Sequence, residues 1–141
     1  MGPEMKRWPF LNIERGDVYL VDLGEERNAF GSEMFGVRHV VVTQCDPRPP
    51  STSTFTIAII TNGVGNSPME YRVSIPNRRG LPDGSVVLAN QRRTIDKARI
   101  IKYCCHLDSQ TMKRISRVCR RAEETDRKRH KRKRNRKHNT S

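Results

Sequence analysis

The chain predicts a small, mainly β fold, an SH3-like barrel with one late α-helix and a disordered basic C-terminal tail. Three observations point there. Short runs rich in Val, Ile and aromatics fill the first hundred residues, turn formers separate them, and helical periodicity begins only after residue 107. The length, 141 residues, suits one domain with a core adequate for independent folding. The organisation expected is an N-terminal extension over 1–13, a barrel domain over 14–122 and the basic tail over 123–141.

Strands are expected first at 16–23, 37–45 and 55–61, whose near-continuous apolarity implies burial on both faces. The stretches 71–75, 85–88 and 99–103 are shorter candidates. Leu81-Pro82-Asp83-Gly84 is a turn, because proline presets φ and glycine accepts a positive one. Proline-, serine- and glycine-rich segments at 46–53 and 62–68 read as loops. Asp108 suits a helix N-cap, with Leu107 and Met112 at the positions of a hydrophobic staple. Met112, Ile115, Val118, Cys119 and Ala122 then form one apolar stripe, and Lys113, Arg114, Arg117, Arg120 and Arg121 crowd the remaining surface. Beyond Arg127 too little apolar surface remains to offset ordering entropy, so disorder is expected.

Charge is unevenly spread. Nine of the 28 basic residues lie within 127–138, where no acid occurs, leaving 19 against 15 acids elsewhere. The tail thus holds +9 of the formal +13, which implies a polyanionic partner. No run approaches 18 consecutive apolar residues, and residues 1–10 lack the apolar core of a secretory signal, so neither membrane nor export is expected. Cys45, Cys104, Cys105 and Cys119 form no C-x-x-C pair, consistent with a reducing cytoplasm. Cys104, Cys105 and His106 could supply zinc ligands, but adjacent ligands fit a tetrahedral chelate poorly. Buried reduced thiols are the preferred reading, with the vicinal pair on opposite faces if extended.

Several motifs recur in a meaningful order. Arg15-Gly16-Asp17-Val18-Tyr19-Leu20-Val21-Asp22-Leu23 is followed by Gly31-Ser32-Glu33, then by Gly36-Val37-Arg38 opening the run Val40-Val41-Val42. Ile57-Ala58-Ile59-Ile60 closes on Thr61, and Ser85 to Gln91 precedes Arg93-Thr94-Ile95-Asp96. From about Glu14 to Ala122 this pattern resembles the MazF/PemK family of toxin endoribonucleases. The resemblance implies the small barrel shared by MazF, PemK and CcdB, and a two-fold homodimer with an RNA groove across its interface. It also implies metal-independent, sequence-selective cleavage of single-stranded RNA, leaving a 2′,3′-cyclic phosphate and a 5′-hydroxyl. An acidic, MazE-like antitoxin would occupy the groove, and no cofactor or metal is expected.

The residues suit that chemistry. RNA carries its own nucleophile in the 2′-OH, so alignment and electrostatic preorganisation can supply most of the acceleration. A guanidinium is planar, permanently cationic and able to hold two phosphate oxygens, which makes Arg38 the expected transition-state stabiliser. The bland reading of Arg38 is a rim ion pair. Thr61 matches the family's catalytic threonine and can donate to a phosphate oxygen or to the departing 5′-oxygen; strand propensity alone also explains a threonine there. His39 should point away from the Arg38 face by strand alternation, and it stands where the family usually has proline. His106, His130 and His138 read as solvated.

RNA contacts are expected from Ser32 and Glu33, from Phe30 and Phe35 stacking on unpaired bases, and from Gln91 and Arg93, which share a face if extended. Met34 replaces the family's usual glutamine, and Asn90 and Arg92 replace its usual acidic and apolar neighbours. Arg127, Lys128, Arg129, Lys131, Arg132, Lys133, Arg134, Arg136 and Lys137 are expected to make sequence-independent phosphate contacts. The function expected is a translation-inhibiting endoribonuclease. A gyrase-directed, CcdB-like toxin and a non-cleaving RNA-binding regulator are the competing readings, which fold alone does not separate.

Overall fold

The structure is a computed structural model that describes residues 13–25, 35–44, 54–62 and 68–139. Its elements are β1 (Asp17–Asp22), β2 (Val37–Gln44), β3 (Thr54–Thr61), β4 (Arg72–Ser74), β5 (Val86–Asp96), β6 (Ile100–His106) and α1 (Ser109–Asn139), with short 3₁₀ turns at Met69–Tyr71 and Lys97–Arg99. The six strands form one sheet in the order β4-β5-β3-β2-β1-β6, and every pairing is antiparallel. A mainly β architecture with a single C-terminal helix is what the sequence predicts.

Alternation along the strands sorts the apolar side chains into two clusters. Val18, Val41, Ala58, Ile60, Val87 and Ala89 meet Met112, Ile115 and Cys119 of α1. Tyr19, Val21, Val40, Val42, Phe55, Ile57, Ile59 and Ile95 fill the other face. Tyr19 on β1 lies edge-on to Phe55 on β3, with ring centroids 6.4 Å apart, although β2 runs between those strands. On a flat sheet their backbones would be roughly 9.5 Å apart, so the rings converge as on the concave side of a curled sheet.

The helix entrance forms as its residues dictate. The Asp108 carboxylate accepts from the hydroxyl and backbone N–H of Thr111 and from Arg78, 3.2 Å away, which together hold it below the usual carboxylate range. Leu107 and Met112 are both buried in the helix-covered cluster, the staple their spacing predicts. Arg15 ties the first turns of α1 to the chain before β1, donating to the Met112 carbonyl at 3.2 Å and to the Ser116 hydroxyl.

Three features depart from expectation. The run expected to end at residue 88 continues through Arg93-Thr94-Ile95-Asp96 as one strand, because a three-residue offset in the β3–β5 register absorbs Ala89, Asn90 and Gln91. In β6 the register against β1 slips between Cys105 and Tyr103, and the irregularity at Cys104 breaks alternation; both thiols pack against the helix-covered cluster instead of opposite faces. Finally, α1 does not stop near residue 122 but runs to Asn139, where disorder was expected. Residues 109–139 contain no Gly or Pro, and the Arg and Lys that dominate its end are good helix formers placed favourably for the helix dipole. No helix among the described residues is long and apolar enough to cross a membrane.

Candidate active site

Arg38 is positioned by a backbone clasp. Gly36 adopts φ +80°, and no atom lies within 4 Å of where a Cβ would sit, so glycine is required for conformation and not for space. Its N–H donates to the Gly24 carbonyl at 2.8 Å, while its own carbonyl accepts from Leu23 N–H at 2.9 Å. This clasp joins the end of β1 to the start of β2 and delivers Arg38 opposite Val21. The Arg38 Nε donates to the Phe35 carbonyl at 3.2 Å, folding the side chain back along its own entry segment. Among the described residues no carboxylate pairs with this guanidinium, so the rim ion pair is not found there.

Thr61 ends β3, half-buried, across from Val86 of β5. In the β2–β3 ladder His39 faces Ile60, Val40 faces Ile59 and Val41 faces Ala58. One step beyond His39, the same register sets Arg38 across from Thr61. Directly opposed antiparallel residues share a face, with Cβ atoms about 4.5–5.5 Å apart. That face is the one bearing Val40, Val42, Ile57 and Ile59. The continued ladder thus places the cation and the hydroxyl on one face at one end of the sheet.

Other expected residues divide. Arg93 faces Ile57, and so shares this face, but it stands four residues from the position of Thr61 along β3, roughly 13 Å away. Gln91 lies inside the β5 irregularity, between Leu88, which faces Ile59, and Arg92, which faces Ala58. Alternation counted from Ala89 and from Arg93 gives Gln91 opposite faces, so the register does not bring it to Thr61. Phe35 is exposed beside Arg38. Phe30, Ser32, Glu33 and Met34 lie outside the described residues. Arg127, Lys128, Arg129, Lys131, Arg132, Lys133 and Arg134 are exposed on α1, and the positions of Arg136 and Lys137 belong to the same helix.

His39 sits on the opposite face, across from Leu20 and Ile60, as alternation predicts. Burial and then the nearby Lys102 charge lower its pKa, favouring a neutral imidazole. Arg92 also turns to that side and reaches α1, where its guanidinium lies 2.6 Å from the Glu123 carboxylate.

His106 is exposed, as expected of a solvated imidazole, yet it is not without a protein partner. Its Nδ1 lies 2.8 Å from Oδ1 of Asp17, a carboxylate with no exposed surface. The other carboxylate oxygen accepts from the Tyr19 hydroxyl at 2.8 Å and from Glu14 N–H at 3.0 Å. Burial, then the bond to Asp17, raises the Tyr19 pKa far above its ordinary value. Glu14, Asp17 and His106 bring three potential ligand atoms within 4.8 Å of one another. Both Asp17 oxygens, however, are already occupied by donors, which suits a structural anchor. Asp17 and Tyr19, two apart on one strand, advertise a shared face in the sequence; nothing there reveals that β6 brings His106 to meet them.

The vicinal thiols are poor nucleophiles or metal ligands. Burial, with Cys104 beside it, pushes Cys105 up to about 12, and burial also raises Cys104, whose Sγ donates to the Gly80 carbonyl at 3.2 Å.

The sequence model for PemK-like, MazF-like toxins of type II toxin–antitoxin systems matches residues 14–122. The chain is 38% identical over 104 residues to Endoribonuclease EndoA of Bacillus subtilis (strain 168), covering 73% of this chain and 87% of that protein. It is likewise 38% identical over 101 residues to Endoribonuclease MazF of Staphylococcus epidermidis, covering 71% and 82% respectively. Among solved structures it resembles an endoribonuclease in complex with its cognate antitoxin from Mycobacterial species, with a TM-score of 0.64 at 19% identity, covering 80% of this chain and 96% of that one. The matched family region ends where the buried stripe of α1 ends, at Ala122.

Proposed function

Because the chain belongs to the PemK-like, MazF-like toxins of type II toxin–antitoxin systems, we propose that it is an endoribonuclease toxin that cuts single-stranded RNA at Arg38 and Thr61. The observation that supports this reading is the β2–β3 register, whose continuation one step past His39 and Ile60 brings Arg38 opposite Thr61. In the step envisaged, the 2′-oxygen forms a bond to phosphorus and the bond to the 5′-oxygen breaks. The 2′-OH proton passes to solvent and the 5′-oxygen takes one from solvent, so forming the cyclic phosphate consumes no water. Arg38, tethered through Nε, has its terminal nitrogens available to hold the phosphoryl oxygens as their charge grows. Arginine stays protonated, so its role is charge stabilisation and not proton abstraction. Thr61 donates to a phosphoryl oxygen or to the leaving 5′-oxygen. Neutral His39 faces away and takes no part.

The working form is a homodimer whose groove is completed by the second subunit. Phe35 and Val37, both exposed beside Arg38, supply apolar surface for that contact or for bases. An acidic antitoxin would cover the same groove in the cytoplasm. The similar mycobacterial protein was solved in complex with its cognate antitoxin, which supports a protein partner of that kind here.

The test is incubation of purified protein with mixed-sequence RNA in EDTA, followed by mapping of new 5′ ends. Discrete ends that vanish in Arg38→Ala and Thr61→Ala are expected. Intact RNA with gyrase trapped on DNA, or a stable RNA complex without scission, would reject the reading.

A further inference from the structure

The outer half of α1 has no counterpart in the family region and no core to pack on. Its last buried residue is Ala122, and the Arg92–Glu123 pair is its last contact with the sheet among those resolved. Beyond that pair, 124–139 adds about 24 Å of helix at 1.5 Å per residue. The cations on this rod do not form a stripe. At about 100° per residue, Arg127, Lys131 and Arg134 lie on one side, and Arg129, Arg132 and Lys133 lie on the opposite side. A membrane or a flat acidic protein needs one charged face. Cations at every azimuth fit a partner that surrounds the helix.

We propose that this segment is a docking rod for folded RNA, inserting into the groove of a bulged stem, between two walls of phosphate. The inference deepens the proposed function, since the stem would lie on the same RNA molecule as the single strand cut at Arg38 and Thr61. A helix about 10–12 Å across fills a groove opened to that width. The regular A-form major groove is too narrow for it, so the stem must carry unpaired nucleotides that let the groove open. Residues 109–139 contain no Phe, Tyr or Trp, so an unpaired strand finds no large stacking platform on the rod. Duplex RNA offers the denser charge. Holding the stem would raise the effective concentration of flanking single strand at the catalytic end.

A second observation gives the proposal its own readout. Arg127 and Lys131, Lys128 and Arg132, and Arg129 and Lys133 are like-charge pairs four residues apart, each of which opposes the helix. Phosphates on both sides relieve all of them together, so binding should raise helicity.

The experiment uses the full chain carrying Arg38→Ala to slow cleavage, and each RNA is run on a gel afterwards. A cut RNA in this variant counts against the catalytic reading alone, and affinity is taken from intact RNA. Affinity for a bulged RNA hairpin, its fully unpaired equivalent and a B-form DNA duplex is measured against salt, with ellipticity at 222 nm. The triple Arg127→Gln, Lys131→Gln, Arg134→Gln is compared with Arg129→Gln, Arg132→Gln, Lys133→Gln; glutamine preserves helix propensity. The expected result is tightest binding to the bulged hairpin, a gain in helicity on binding, and a similar flattening of the salt slope, by about 2–3, in each triple. Loss confined to one triple, equal binding of the unpaired strand or DNA duplex, or unchanged ellipticity would overturn it.

Discussion

The β2–β3 ladder pairs His39 with Ile60, and its continuation by one step sets Arg38 opposite Thr61. In the proposed mechanism both act on one phosphate, so their contributions should not be independent. Arg38→Ala is expected to lower the cleavage rate about 10²–10³-fold, the usual effect of removing one preorganised donor. Thr61→Ala should cost less, and the double variant should fall well short of the product of the two. Single-turnover rates on one RNA check this, and strictly multiplicative losses would place the two residues in separate roles.

Arg38→Lys separates charge from geometry. A lysine retains the cation but loses the planar fork and the Nε that is tied to the Phe35 carbonyl. Activity is expected to stay near that of Arg38→Ala while RNA affinity changes little. Recovery to within a few-fold of the parent would show that a point charge suffices.

His39 gives a pH signature. Its folded pKa lies below the ordinary 6.5, through burial first and Lys102 second. The unfolded chain therefore takes up this proton at a higher pH than the folded one. Stability from this group is present above about pH 6.5 and is lost as pH falls below it. Denaturation midpoints between pH 7.5 and 5 should decline less steeply in His39→Gln than in the parent. Identical slopes would remove His39 as the source.

How much of this was readable in the sequence depended on how local the cause is. Val40 to Val42 and Ile57 to Ile60 announce buried strands because burial on both faces leaves continuous apolar runs. Asp108, Leu107 and Met112 announce the helix start because capping acts over a few residues. Arg92 to Asp96 is polar enough to hide a strand, since its Arg92 pairs with Glu123 and its Thr94 hydroxyl lies 3.2 Å from that of Thr56. The face shared by Arg38 and Thr61 was visible only through resemblance, because register is set by pairing between distant segments. The slip at Cys104 and the meeting of His106 with Asp17 depend on β6 closing against β1, which no local pattern encodes.

The hold of the sheet on α1 should come from apolar burial and not from its ion pair. Arg92 and Glu123 are partly exposed, with side-chain accessibilities of 23% and 43%, so Glu123→Gln should cost no more than about 1 kcal/mol. Ile115, with no exposed surface, packs between helix and sheet, and Ile115→Ala should cost about 2–5 kcal/mol. Urea denaturation of both variants measures the contrast, and a reversed order would make the pair the principal tie.

Asp17 is expected to be the most stability-critical polar residue of the β1 end. Replacing it by alanine strands the Tyr19 hydroxyl, which is buried against Phe55 and Tyr103, and removes the acceptor for Glu14 N–H. Desolvated donors left without partners cost about 1–3 kcal/mol each, so Asp17→Ala should lose roughly 3–5 kcal/mol, as expected when a buried charged partner is removed. Tyr19→Phe removes one donor and leaves the carboxylate its bonds to His106 and Glu14, so it should lose only about 1 kcal/mol. Asp17→Asn keeps an acceptor for the tyrosine but weakens the link to His106, and should fall between them. Since this anchor lies on β1 and β6, away from the Arg38 end of the ladder, Tyr19→Phe should cleave RNA at the parental rate. Denaturant midpoints read with cleavage rates on the same preparations test both halves. A Tyr19→Phe protein that is fully folded yet inactive would move the buried Asp17 network from the scaffold into the chemistry.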